Sequence, residues 1–519
     1  MTLQTDAPSH DERYRIVIIG GGTAGWMTAA GLVRQLPAAD YRITLVESDE
    51  IGTVGVGEAT LPHIKLFNDM LGLDEAQFMR ETRATFKLGI EFRDWDQPGD
   101  RYIHPFGAFG EPWGGVEFQH HWLRARAEGR DVAPFQDYSY AVAAARANAF
   151  ELPNEDPASI RSTYSYAYHF DAGLYAEFLR RWATARGVTR IEGQVSVVDR
   201  DQGSGALTAV TLKSGARIAG DLFVDCTGFR SLLLAGQYEV GWEDWTHLLP
   251  CDRALAVPCA HGGDFSPYTR STARPAGWQW RIPLQHRIGN GYIFSSAFAT
   301  VEEAQETLLA NLDGAALAEP RLLRFTPGRR ERAWQGNCVA IGLASGFLEP
   351  LESTSIYLIQ AAVIDLVNLM PSPAARRDGV DPRLADEFNR LTTMQYERVR
   401  DFLILHYIAN RREGEPLWDY LRSVPLPDSL VHKLALFRAR GTAPNYQYGL
   451  FSRDSWLSVL IGQGVMPERH DRMAETYDGE TVAARIDDFK ARIDGAVAAM
   501  PSHAQFIALY CAAPEGAAA

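Results

Sequence analysis

The sequence predicts an α/β fold: a Rossmann-type βαβ sheet joined to an antiparallel sheet, followed by a mainly helical C-terminal part. Three observations carry that expectation. The first is the stretch Arg15 to Ala29, where a β-branched apolar run turns through glycines into a helical pattern. The second is the recurrence of that shape, an apolar strand followed by small residues, at Asp221 to Gly228 and again at Asn337 to Ala344. The third is a change of period near Asp381, beyond which the apolar spacing is helical.

Arg15 to Ile19 reads as a strand covered on both faces, since its apolar run does not alternate. Gly20, Gly22 and Gly25 then supply G-x-G-x-x-G: a tight turn, a close backbone approach to a pyrophosphate, and close packing of helix on strand. Thr23 and Ala24 open the helix whose positive end would hold the phosphates. A second strand, Arg42 to Val46, ends on Glu47, where such a unit needs an acid for a ribose hydroxyl. The full pattern predicts FAD or NAD, against the bland alternative that Glu47 is simply solvated.

Past Glu47, Gly52, Gly55 and Gly57 allow the backbone to lie against a flat ligand. Phe86 to Phe92 alternates like a strand, with Lys87 on the face of Gly89 and Glu91, so local pattern alone favours a solvated lysine. Asp96 to Ala149 is aromatic and reads as irregular; its adjacent His120 and His121 lack the spaced partners of a metal site, and no metal is expected. Asp171 is placed to cap a helix over Ala172 to Arg186. Gly193 to Asp199 and Leu207 to Leu212 read as an antiparallel excursion, with hairpin signals at Gly203 and Gly215. Further helices are expected over Ser355 to Met370, Arg383 to Leu405, Leu417 to Arg422, Leu430 to Arg438 and Thr481 to Ala498, before a disordered tail, APEGAAA.

Three strand-to-glycine turns on one sheet resemble the FAD-binding flavoprotein monooxygenase fold. That resemblance implies an FAD-binding module over residues 10–375, with 96–150 an aromatic-rich insertion at the substrate site, and a helical substrate-side subdomain over 376–519. The length of 519 residues allows two to four domains at about 150 residues each. A net charge of −14 opposes a nucleic-acid partner. Five cysteines, an odd number with no C-x-x-C, read as buried thiols in a reducing cytosol. With no secretory pattern at the N-terminus and no uncharged apolar run of about 18 residues, a soluble cytoplasmic protein without membrane contact is expected.

Gly277-Trp278-Gln279-Trp280-Arg281-Ile282-Pro283 would, alone, be a hydrophobic strand. Taken with GGGTAGW (Gly20 to Trp26), GVGEAT (Gly55 to Thr60), Phe86-Lys87 and FLEPLEST (Phe347 to Thr354), all in order, it resembles the flavin-dependent halogenases, closest to the tryptophan/indole halogenase branch. The resemblance implies reduced FAD from a separate NADH-dependent reductase, without a stable complex, and hypohalous acid made from O2 and chloride or bromide. It makes Lys87 the active-site lysine and Glu352 the second catalytic residue, with Glu349 the competing carboxylate. Ser353 falls to the cofactor side. The halide would rest on backbone N–H groups at Thr354 and Ser355, where many relatives have glycine in place of Ser355. Trp278, Trp280, Ile282 and Pro283 would line the passage from flavin to substrate and block ordinary monooxygenation. His104, Phe106 and Trp456 are expected at the substrate.

One departure concerns that substrate. The tryptophan branch grips its amino acid with a Tyr-Tyr pair and a glutamate near a Phe-Trp, whereas this chain reads Asn445-Tyr446-Gln447-Tyr448 and, further on, Asp454-Ser455-Trp456, without a matching glutamate. The expected reaction is therefore halogenation of an electron-rich ring, an indole compound other than free tryptophan. A flavin-dependent aromatic hydroxylase is the enzyme rival, and an FAD-binding protein without catalysis the other. A homodimer is compatible with the sequence.

Overall fold

The computed structural model describes residues 12–514, apart from 51–56, 264 and 447–448. Gly52, Gly55 and Val56 of the glycine loop, Gln447 and Tyr448, and most of the C-terminal tail thus lie outside the described residues.

β1 (Tyr14–Ile19) sits inside a six-stranded sheet ordered Trp334–Gln335, Cys338–Ala340, Leu222–Asp225, β1, β2 (Tyr41–Glu47), Thr189–Glu192. All pairings are parallel except that of Trp334–Gln335. The three strands expected to end in glycine turns are therefore neighbours, and their turns open at one edge. Helix α1 (Thr23–Gln35) covers one face, packed against the helices Ala172–Thr184 and Ser355–Asn368. With both faces covered, Ile16, Val17 and Ile18 are buried, which is why this strand shows no alternation. Two glycines are dictated by this packing: a Cβ on Gly20, whose φ is +108°, would lie 2.3 Å from the Cys226 carbonyl oxygen, and one on Gly25 would lie 1.8 Å from that of Gly20. Asp171 caps its helix as expected, accepting from the backbone N–H groups of Gly173 and Leu174. Val195–Arg200 and Leu207–Leu212 form the antiparallel excursion.

A second sheet of seven strands is ordered Arg321–Arg324, Arg253–Cys259, Ile288–Phe294, Gly277–Pro283, Thr269–Arg274, Gly89–Arg93, Arg101–Pro105. It is antiparallel except where Thr269–Arg274 meets Gly89–Arg93. The expected single strand from Phe86 to Phe92 is in fact two. Thr85–Lys87 pairs with Ala167–Asp171 in a three-stranded sheet, and Gly89–Arg93 joins the seven-stranded one. Leu88 is the crossing point, its N–H given to the Pro267 carbonyl at 2.7 Å. Because each half is covered on both sides, the polar-looking positions Lys87, Gly89 and Glu91 are as buried as Phe86 and Leu88.

Residues 96–149 are not irregular. They hold the strand Arg101–Pro105 and the helices Phe118–Ala127 and Tyr140–Arg146. The first of these helices is buried from Phe118 through Ala125, so it has no solvated face to give the sequence a period. His121 stacks on Trp113 with ring centroids 3.6 Å apart. After residue 376 the 27-residue helix Pro382–Ile408 runs against Ser355–Asn368 and into the centre of the molecule. A single apolar core joins Tyr14 and Leu45 to Phe402, Trp456 and Ile493, across the boundary expected at that residue. Among the described residues, no helix is long and apolar enough to cross a membrane, and no cluster of His, Cys, Asp and Glu has a metal-holding arrangement. All five cysteines are buried and unpaired.

The contact at Gly25 gives a direct test. Gly25→Ala should cost about 1–3 kcal/mol, as overpacking a tight interior does, read as a lower urea midpoint of the flavin-free protein against the parent.

Candidate active site

Lys87 ends its short strand with the ammonium fully enclosed. Nζ donates to the Thr60 carbonyl at 2.9 Å and to Ser353 Oγ at 2.8 Å, and stands 5.0 Å from the centre of the Phe106 ring. Burial pulls its pKa down to about 7, while the negative charge of Glu352 pulls the other way. An amine with that balance can either donate as an ammonium or act as a neutral nucleophile near neutral pH.

The partner turn is Pro350–Glu352, a 3₁₀ turn that leads through Ser353 to the helix Ser355–Asn368. Ser353 has φ +58°, left-handed and unusual for a serine. Glu352 is fully buried between two imidazoles: His104 Nδ1 lies 2.8 Å from Oε2 and His406 Nε2 lies 2.8 Å from Oε1. Burial alone would raise its pKa, but His104 and His406 outweigh it and hold the carboxyl down near 2. Glu349, on the same turn, accepts from the Tyr407 hydroxyl, and burial pushes its pKa up to about 7. The two carboxylates thus differ in role: Glu352 reaches His104, and Glu349 points into the core toward Tyr407 and Trp278.

His104 also lines a cavity of about 370 Å³. Leu61, Phe106, Tyr164 and Phe451 form apolar walls, with Asp454 and several hydroxyls of Ser162–Ser165 and Ser452–Ser455 among the polar groups. The motif strand Gly277–Pro283 lies in the seven-stranded sheet between Ile288–Phe294 and Thr269–Arg274. Trp278, Trp280 and Ile282 share one face, and Trp280 fits only because position 291 is glycine, where a Cβ would fall 2.0 Å from its ring. The Pro283 carbonyl accepts from Thr85 Oγ1 at 2.7 Å, tying this strand to the one that carries Lys87.

Residues 15–479 match the family model described as tryptophan halogenase. The chain is 36% identical to the tryptophan 6-halogenase ThaL of Streptomyces albogriseolus, an alignment covering 95% of this chain and 98% of that one. Among solved structures it resembles BrvH, a flavin-dependent halogenase from Brevundimonas sp. BAL3, with a TM-score of 0.91 at 46% identity over 96% of this chain and 99% of that one. It likewise resembles Xcc4156, a flavin-dependent halogenase from Xanthomonas campestris, with a TM-score of 0.92 at 46% identity over 97% and 99%. The chain belongs to the tryptophan halogenase family. It is a flavin-dependent halogenase with the FAD-binding α/β fold of that family.

The described residues of this halogenase fit an FAD. Gly22 stands at the N-cap of α1 with no side chain capping the helix and no acid in its first turn, so the helix N-terminus at Thr23 and Ala24 suits a phosphate. Gly342, left-handed at φ +72°, lies against Ala24, where a Cβ would come within 2.8 Å. Glu47 accepts from Trp26 Nε1 at 3.1 Å and from Arg190 Nε; a carboxylate has about four acceptor sites, so a ribose hydroxyl can still be received. Ser353, expected on the cofactor side, is bonded to Lys87 here. Thr354 begins the helix Ser355–Asn368 without a capping side chain, and its buried Oγ1 has no hydrogen-bond partner among the described residues, which suits a small anion at that turn.

Trp456, expected at the substrate, lies outside the cavity lining. It is buried edge-on against Phe402 at 5.1 Å, under the Lys433 ammonium. Phe451 occupies the wall instead, stacked on Phe402 at 3.8 Å. His406 went unnoticed in the sequence because it sits on a helix legible only by its period, with nothing local to mark a functional side chain.

The depressed Lys87 pKa has a measurable sign. Between about pH 7 and its ordinary range near 10.5, the unfolded chain holds a proton that the folded one has released, so folded stability should rise with pH across that window. Each unit is worth about 1.4 kcal/mol. Urea melts of parent and Lys87→Met at pH 7 and pH 10 should show the parent gaining several kcal/mol relative to the variant; parallel curves would mean the ammonium is not held in this way.

Proposed function

We propose that the halogenase chlorinates or brominates an electron-rich ring, an indole compound other than free tryptophan, by way of hypohalous acid held at Lys87. The observation that supports this most is His104, which belongs at once to the wall of a ring-sized cavity and to the carboxylate of Glu352, while the next residue, Ser353, holds Lys87. Ammonium and carboxylate are thereby set behind a single wall of one cavity.

FAD, when bound and reduced by a separate NADH-dependent reductase, supplies the oxygen activation that converts halide to hypohalous acid. The chain's own residues then act. Lys87 hydrogen-bonds the hypohalous acid and fixes the point at which electrophilic halogen meets the ring. Glu352 takes the ring proton as aromaticity returns, positioned acid-base work. Trp278, Trp280, Ile282 and Pro283, on the strand tied through Thr85 to the one that carries Lys87, exclude a ring from the flavin side.

The substrate reading rests on the cavity lining, which contains Asp454 and neither Lys nor Arg among the described residues. The carboxylate of free tryptophan would lose its water there without a cation to replace it, a cost of several kcal/mol. A neutral indole escapes that cost, and an attached amine would meet Asp454.

Lys87→Ala should abolish halogenation while binding oxidised FAD with parent affinity. Glu352→Gln should slow turnover roughly 10²-fold. Both are read by mass spectrometry of indoles and phenols incubated with reductase, NADH, FAD and either halide. Oxygenated product in the absence of halide would favour the hydroxylase instead. In competition between indole and tryptophan, indole should win by kcat/KM; a clear preference for tryptophan would sink the substrate reading.

A further inference from the structure

Lys433, on the helix Asp428–Arg440, is a second buried lysine, and the chemistry at Lys87 does not use it. Its Nζ donates to the Pro444 carbonyl at 2.6 Å and lies 3.7 Å from the centre of the Tyr446 ring and 4.1 Å from that of Trp456. An ammonium shut away from water is drawn to the negative faces of aromatic rings more strongly than one in solvent, and here two rings meet one charge.

Those two rings bracket one wall of the cavity. Leu450, Phe451, Ser452, Asp454 and Ser455, all lining residues, fall between Tyr446 and Trp456 in the chain. Asn445 Oδ1 accepts the Arg453 N–H at 2.6 Å and draws the segment into a loop, and the ammonium sits where its two ends come together. From Trp456 the contact passes edge-on to Phe402 at 5.1 Å and then to Phe451, stacked on Phe402 at 3.8 Å. The buried Nε1 of Trp456 has no hydrogen-bond partner among the described residues, so packing and the cation locate that ring.

We propose that Lys433 is a positioning residue of the halogenase, whose charge clamps both ends of the segment 446–456 and so holds the wall that receives the ring. The proposal rests on the functional reading above. Lys433 makes no hydrogen bond or ion pair with Lys87 or Glu352, whose partners are Thr60, Ser353, His104 and His406. Its loss therefore weakens ring binding and leaves halogen transfer as it was.

The charge on Lys433 can be switched off. Burial and then Arg398 pull its pKa down to about 8, against the pull of Asp401. Those two groups face it from the helix Pro382–Ile408. From the loop it faces Tyr446, whose hydroxyl burial pushes up to about 12, so that ring stays neutral while the lysine titrates. A neutral amine has no charge to offer either ring.

The first arm of the test is hydrogen exchange of flavin-free protein at pH 7. In Lys433→Met, or Lys433→Gln should the first fail to fold, peptides covering 443–456 should exchange roughly tenfold faster, the equivalent of one buried cation–π contact. Lys433→Arg should keep parent protection, and peptides covering 101–106 should be unchanged in all. Parent-like exchange of 443–456 in the folded uncharged variant would overturn the proposal whatever the substrate proves to be. The second arm measures indole. Lys433→Met should raise KM roughly tenfold with kcat within about twofold, and Lys433→Arg should restore KM. Between pH 7 and pH 9.5 indole binding to the flavin-free parent should weaken relative to Lys433→Arg, which keeps its charge throughout. Any titration of Lys87 is common to both proteins and cancels. A loss in kcat instead of KM, or equal pH profiles for parent and Lys433→Arg, would also overturn the proposal. Failure of the parent to bind or halogenate any ring would count against the functional reading and leave the exchange arm to judge the clamp.

Discussion

A cation without access to water must be answered from several directions at once, and Lys87 is the clearest such demand in this molecule. Its ammonium takes an oxygen from Thr60, at the end of the glycine-loop strand, and another from Ser353, at the start of the helix Ser355–Asn368, with Phe106 beneath it. Three segments far apart in the chain are thereby required to end at one point. The left-handed backbone of Ser353 is understandable in that light, since the turn must present Glu352 to two histidines and, one residue later, a hydroxyl to the lysine.

The same economy governs the switch of sheets at Leu88. Lys87 leaves a three-stranded sheet and Gly89 enters a seven-stranded one, so Lys87 stands only one residue, Leu88, from the strand that pairs with the His104 strand. Gly89 permits this closeness, for a Cβ there would lie 2.4 Å from the His104 carbonyl oxygen. Backbone connectivity, more than side-chain reach, sets the spacing of lysine, histidine and carboxylate.

The βαβ unit was readable from the sequence because its constraints are local. Gly25 is demanded by the Gly20 carbonyl in the same turn, and a run such as Ile16 to Ile19 tells of two covered faces by its own composition. Lys87 was misleading for a related reason: alternation normally separates wet from dry, and here both faces are dry, so its burial is a tertiary fact that only resemblance anticipated. The helix Phe118–Ala127 was missed because full burial erases the period by which helices are recognised. His406 was invisible altogether, since it owes its place to a partner far along the chain, Glu352. Trp456 packs edge-on against Phe402, beside the Phe451 that lines the cavity, a tertiary placement that no local pattern announces.

The cavity has two unequal sides. His104 and Phe106 come from backbone locked into the seven-stranded sheet or hydrogen-bonded to Ser165, and each touches one of the buried charged groups, His104 the carboxylate of Glu352 and Phe106 the amine of Lys87. Leu450, Phe451, Ser452, Asp454 and Ser455 come from a loop and the first turn of the helix Arg453–Gly462, and none of them touches Lys87 or Glu352 through a hydrogen bond or ion pair. On the proposed function, chemistry and ring choice are therefore mounted on separate pieces of chain. A lineage, or an engineer, can redraw the second wall to admit a new scaffold while leaving the halogen-transfer apparatus untouched, so that diversification of substrates within such a fold proceeds by editing a rim and not by rebuilding a centre.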